Sequence, residues 1–166
     1  MRRHLLPFVT RHEPRAASGL ALKSGIGAIL GMSLVGGLAT LTGLPLLIAP
    51  FGATAVLLFA VPASPLAQPM NVVGGYAIAI AAATAAAIWF PGMWWAAGIA
   101  VGLAIAAMLA FRLTHPPAGA IPLLTLTSAM PLETLAFSTV LGSVSLVAVA
   151  ALHHRLPPKQ EYPKRP

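Results

Sequence analysis

The chain has 166 residues, 58% of them hydrophobic and only 8% charged, where a soluble domain carries roughly 25% charged residues. Mean hydropathy is +0.86, and apolar stretches approaching ~20 residues recur, the length of a transmembrane helix; a soluble domain is excluded and a small polytopic helical membrane protein is indicated. The formal charge of +7 does not indicate nucleic acid, because nine of the ten Lys and Arg residues lie near the two ends: Arg2, Arg3, Arg11, Arg15, Lys23, Arg155, Lys159, Lys164 and Arg165.

Basic residues that flank membrane spans mark the cytoplasmic side. Both termini are therefore expected to be cytoplasmic, with an even number of crossings, and a bacterial inner membrane is the expected location. With no cysteine in the chain, disulfides, thiolate catalysis and Cys-ligated metals are excluded. Residues 1–17 read as a basic cytoplasmic arm rather than a signal peptide, since "LLPFV" is too short for an apolar core and Arg11 and Arg15 follow it. Residues 18–153 form one transmembrane domain. Residues 154–166 read as a polar, Pro-rich, mobile cytoplasmic tail.

In chain order, the first span is predicted over Ser18 to Thr42. Pro45 and Pro50 then break the pattern, and a short apolar run, Ala53 to Val61, follows. Pro69 is placed to open a helix at its first turn, running to about Phe90. Trp89, Trp94 and Trp95 surround a tight "FPG" turn and fit an aromatic belt at headgroup level. A further span is predicted from Trp94 to Leu113, a second break at Thr114–Ala120, and a last span from Pro131 to His153.

Two stretches resemble each other: "APFGATAVLL" from Ala49 and "PPAGAIPLL" from Pro116. Pro50 aligns with Pro117, Gly52 with Gly119, Ala53 with Ala120 and Leu57 with Leu124. Further on, "ASPL" at Ala63–Leu66 matches "AMPL" at Ala129–Leu132. Each half reads as a long helix carrying GxxxG (Gly27/Gly31, Gly98/Gly102), a Pro-Gly break, a short helix, a Pro-Leu turn and a long helix. The fold class is thus all-α, with four long transmembrane helices and two broken half-helix segments in an internal duplication, about 18–90 and 93–153. Broken helices at corresponding positions of two halves point to a transport site. If each broken segment crosses the membrane, each half has three crossings and the repeats are inverted. If each re-enters, the halves are parallel. Arg112, the one basic residue away from the ends, favours the crossing, inverted scheme under the positive-inside rule.

Pro50, Pro116 and Pro117 are the structural breaks. Proline supplies no N–H and fixes φ, so helices are expected to start near Gly52 and Gly119. Helix N-termini present unpaired N–H groups and a positive dipole end, which suits an anion. Gly52, Ala53, Thr54, Gly119 and Ala120 are therefore candidate anion contacts, with both N-termini expected to face one shared cavity; the alternative is a pair of kinks packed for shape. His115, whose repeat counterpart is Ile48, could donate to an anion or titrate near neutral pH, or simply bond a carbonyl freed by the prolines. Arg112, Thr114 and Asn71 are candidate pathway or mouth residues, although Arg112 reads more readily as a snorkelling side chain at a helix end, and Asn71 and Gln68 more readily as caps. Thr125 and Ser128 are expected to back-bond to their own helix. His153 and His154 are expected at the headgroups.

Glu13, Glu133 and Glu161 are the only acidic residues, and no nucleophile–base set or metal-ligating cluster is visible. No enzyme activity, cofactor or metal is therefore expected. "THPPAGA" at Thr114–Ala120 together with "APFGATAVLLFAVPASPLAQPMNVVGG" at Ala49–Gly75 resembles the HPP family of integral membrane proteins, whose name is the His-Pro-Pro motif, here His115-Pro116-Pro117. That resemblance spans about Ser18 to Leu152 and implies four transmembrane helices. Plant chloroplast members are associated with nitrite transport, which implies nitrite as the best candidate substrate. Some members carry C-terminal CBS domains; none is evident in these residues, so nucleotide regulation through one is not implied. The expected function is a channel or transporter for a small monovalent anion in a lipid bilayer, as a homo-oligomer with a dimer favoured. The alternatives are a non-transporting scaffold or sensor, or an intramembrane enzyme using His115.

Overall fold

The computed structural model describes residues 10, 11, 13 and 15–165; of the basic arm, residues 1–9, 12 and 14 lie outside the described residues. The described chain is helical, with no strand. Helix α1 spans Ser18–Thr42 and α2 spans Ala49–Ala60; a 3-10 turn at Pro65–Ala67 leads into α3, Pro69–Trp89. Helix α4 spans Ala96–Ala110, a second 3-10 turn covers Pro116–Ala120, α5 spans Ile121–Thr127 and α6 spans Leu132–His153.

Helices α1, α3 and α6 are long and apolar enough to cross a membrane, at 25, 21 and 22 residues. The predicted fourth span is shorter than expected, because α4 has 15 residues, about 22 Å at 1.5 Å per residue. Trp94 and Trp95 belong to the turn before it. At its end the Arg112 N–H donates to the Leu109 carbonyl and the Leu113 N–H to Met108 O. This is a Schellman closure, with Arg112 in the left-handed position (φ 59°) that glycine usually takes. Gly43 does take that conformation (φ 69°) and ends α1.

The bundle is built in matched pairs. Helix α1 packs on α2 and α6; α4 packs on α5 and α3. Helix α2 packs on α6 as α5 packs on α3, and α3 and α6 pack on each other. Exchanging α1–α2–α3 with α4–α5–α6 reproduces every one of these pairings. The core between them holds Val35, Phe51, Leu58, Tyr76, Met108, Ile121, Leu135 and Leu146. Outward-facing apolar residues such as Ile29 and Leu41, 66% and 83% exposed, give α1 a surface suited to hydrocarbon rather than water.

The tail is not free. Tyr162 is buried and its hydroxyl donates to Ala67 O at 3.0 Å, while the Lys164 N–H donates to Gln68 Oε1 at 2.9 Å. Lys23 Nζ, near the start of α1, donates to Leu156 O and Pro158 O at 2.7 and 2.6 Å. Burial pushes the Tyr162 phenol above its usual range, which keeps the hydroxyl a donor. The expectation of a mobile tail therefore fails because one aromatic anchor and a buried lysine tie it down. These contacts gather the start of α1, the Pro65–Ala67 turn and the tail at one end of the bundle. Asn71 Nδ2 adds the second break to that end, donating to Thr114 O at 3.1 Å and reaching Arg112 O at 3.5 Å. Trp94 lines a surface cavity with Leu126 and Thr127 instead, which joins the Trp turn to the far end of α5.

Candidate functional site

The two breaks meet. The 3-10 turn Pro116–Ala120 touches α2, α3, α4 and α5, and the residue before it, His115, is completely buried. Two prolines leave residues 113–115 extended, since the residue before a proline is pushed out of the helical region; His115 has φ −138° and ψ 97°. This extended segment lies directly on α3. A Cβ on Gly75 would stand 2.7 Å from His115 Cβ and 3.0 Å from Leu113 O, so this approach requires glycine.

His115 joins three segments. Its Nδ1 lies 2.9 Å from Leu66 O, its Nε2 lies 2.9 Å from Thr54 Oγ1, and Thr54 Oγ1 lies 2.7 Å from the Tyr76 hydroxyl. A carbonyl only accepts, so Nδ1 carries a hydrogen. In the neutral ring Nε2 is then the acceptor, the Thr54 hydroxyl donates to it, and the Tyr76 hydroxyl donates to Thr54. Protonating the ring turns the Thr54 hydrogen away, because Nε2–H must then donate to Thr54 Oγ1, which can go on accepting from the Tyr76 hydroxyl. Thr54, Tyr76 and His115 are all fully buried, and Phe51 meets Tyr76 edge-on at 5.7 Å. The result is a short relay of polar groups, fully satisfied, inside an apolar bundle.

Several sequence-based expectations are corrected here. Helix α2 starts at Ala49, three residues before Gly52, because Pro50 occupies its first turn instead of ending a break. Gly52, Ala53 and Thr54 thus lie within the helix, with Gly52 and Ala53 exposed. In the second half Gly119 and Ala120, both half-buried, belong to the 3-10 turn, and α5 begins at Ile121 with Pro122 in its first turn. Pro116, Pro117 and Pro122 have no N–H to offer, so this helix start is poor in donors. Gly52 and Gly119 line different cavities. Gly52 lines a cavity of about 320 Å³ with Ser24, Gly25 and Met32, whereas Gly119 lines one of about 270 Å³ with Met108, Leu109 and Thr114.

His115 bonds not to a carbonyl freed by its own prolines but to one in the Pro65–Ala67 turn of the other half. Asn71 and Gln68 do not cap α3; Gln68 Nε2 donates to Pro62 O and Ser64 O at 2.8 and 3.0 Å. Thr125 and Ser128 back-bond to Ile121 O and Leu124 O as expected. Arg112 and Pro116 are exposed, Thr114 is half-buried, and Pro50 and Pro117 are buried. His153 and His154, expected at the headgroups, are instead buried, with Nε2 against Lys23 O and Leu58 O, and His153 lines a cavity at that end of the bundle.

Under the repeat alignment Thr54 corresponds to Ile121 and His115 to Ile48, both buried in the apolar core. The polar relay thus has an apolar counterpart, and the two halves differ at the point where they meet. Tyr76, Leu66 and Gly75 were not singled out as site residues. The one available signal was the Gly74-Gly75 pair inside a helical pattern, a mark of close backbone approach.

A bundle with an apolar outer face, three membrane-length helices and one buried polar relay defines a helical integral membrane protein. The chain belongs to the HPP family, matching its transmembrane region over residues 13–163. It is 33% identical over 128 residues to a transmembrane protein of Dictyostelium discoideum, across 70% of this chain and 40% of that protein, so it spans well under half of that relative's length. No solved structure matches it.

Proposed function

We propose that the protein is a membrane transporter or channel for a small monovalent anion, with nitrite the best candidate. The observation that carries this reading is the meeting of two proline-broken segments at the buried Thr54–His115 hydrogen bond. A buried histidine in a membrane bundle is costly and is a functional-site hypothesis by default, and matched breaks in two halves mark transport sites in other folds. The conformation with every relay hydrogen bond made is read as closed, and opening the Thr54–His115 bond would present a donor to the anion. No enzyme activity is proposed. The complete burial of the relay favours a second reading, a non-transporting scaffold held shut by it.

The proposed topology is inverted repeats with both termini, Ser64–Gln68 and Arg112 cytoplasmic, in an inner membrane and as a homodimer. It is supported by the tail's bonds to Ala67 and Gln68 and by Asn71's bonds to 112–114, which put these segments at one end. In this arrangement α2, and the second break together with α5, serve as short crossings beside four longer ones. An impermeant thiol reagent outside intact cells should label a cysteine at Gly92 and spare one at the exposed Ala63, beside the buried Ala67, both in the otherwise cysteine-free chain. The opposite pattern would contradict the inverted arrangement.

Gly119→Val tests the site. A Cβ there meets nothing within 4 Å, so the protein should still insert and fold. Nitrite flux should fall at least tenfold if the anion passes this face. Undiminished flux would remove Gly119 from the pathway.

A further inference from the structure

We infer that the base of α1 and the end of α6 form a binding site for the phosphate of an anionic phospholipid, and that His153 binds it by taking up a proton. A cavity of about 260 Å³ opens there, lined by Gly19, Leu22, Lys23, His153, Leu156 and Pro158. Lys23 is only 7% exposed and His153 only 6%. The ammonium of Lys23 donates to two carbonyls, which leaves its third N–H free for a ligand. Among the described residues the single ion pair is Arg165–Glu161, so no carboxylate offsets the Lys23 charge. Buried charges are ordinarily paired, and the missing partner here is an anion.

His153 supplies the second, independent observation. Its Nε2 lies 3.1 Å from Lys23 O, so Nε2 carries the hydrogen. Its Nδ1 is buried with no partner. In the neutral ring that atom is a bare lone pair; one proton turns it into a donor while Nε2–H keeps its bond to Lys23 O. A phosphate in the cavity provides the charge that would hold that proton. The groups facing His153 are Lys23 from α1, His154 from its own helix end and the Phe59 ring from α2, edge-on at 5.6 Å. Burial first, and then the Lys23 charge, hold His154 below the usual histidine range, against the bond to Leu58 O that raises it.

Basic pockets between transmembrane helices at the cytoplasmic side suit anionic headgroups, and the apolar flank of Leu22 and Ile26 in the same cavity suits an acyl chain. This assignment is independent of the transport reading.

The test uses the full chain in detergent. Phosphatidylglycerol should raise its unfolding temperature more than phosphatidylcholine does, with the larger rise at pH 6 than at pH 8. Lys23→Gln should abolish the difference between the lipids, His153→Gln should abolish its pH dependence, and the exposed Lys159→Gln should change neither. Native mass spectrometry of the unaltered protein gives a readout that needs no variant to fold: a retained phosphatidylglycerol, released at high pH. Equal shifts from both lipids, or no pH dependence, would overturn the site. An equal shift from inorganic phosphate alone would overturn the lipid as its occupant.

Discussion

Gly75→Ala should destabilise the protein by ~1–3 kcal/mol, the usual cost of overpacking a close-packed core. The added Cβ meets His115 Cβ at 2.7 Å and Leu113 O at 3.0 Å. Both belong to the extended segment that the two prolines hold in place, so neither can swing aside as a side-chain tip could. Gly74→Ala is the control. The three atoms nearest its Cβ would all belong to the Leu113 side chain, at 2.9 Å or more, and that leucine can turn away. The midpoint of thermal unfolding in detergent should therefore fall clearly for Gly75→Ala and little for Gly74→Ala. Equal effects would show that 113–115 is not held against α3.

His115→Ala should cost more, on the order of 3 kcal/mol or above. It strips the acceptor from the Thr54 hydroxyl and the donor from Leu66 O, each worth ~1–3 kcal/mol when left unpaired in a buried site, and it opens a void as well. Removing the polar groups together should be gentler. The pair Thr54→Val with His115→Leu converts the relay toward the apolar Ile121 and Ile48 of the other half. The double variant should be more stable than the sum of the two single losses predicts, by about 1 kcal/mol or more of coupling. Strict additivity would mean that the 2.9 Å contact between them carries no energy.

The long elements were legible because membrane helices announce themselves by length and apolarity. The span read over Ser18–Thr42 is α1, and Pro69 opens α3 as its position at a first helical turn requires. Proline positions also located both breaks. What they could not give was which side of a proline the helix begins: Pro50 sits inside the first turn of α2, whereas Pro116 and Pro117 form a turn of their own. The partners of His115 were hidden for a different reason. Thr54, Leu66 and Tyr76 lie 61, 49 and 39 positions away in sequence, and no local period encodes which of several hydroxyls and carbonyls a folded bundle brings to one imidazole. The tail misled by composition. Its Pro-rich, charged sequence reads as unfolded, yet a single tyrosine finds a carbonyl in the Pro65–Ala67 turn and Lys23 reaches over to hold the chain.

The most direct test of the transport reading is ion entry into liposomes carrying the purified, unaltered protein, compared with protein-free liposomes, for nitrite, nitrate, chloride and formate side by side. Transport predicts protein-dependent entry with nitrite fastest, and a loss of that entry in the His115→Ala liposomes when insertion is matched. No protein-dependent entry of any of the four anions, from protein shown to be folded and inserted, would contradict it and leave the closed relay as a structural pin in a membrane scaffold.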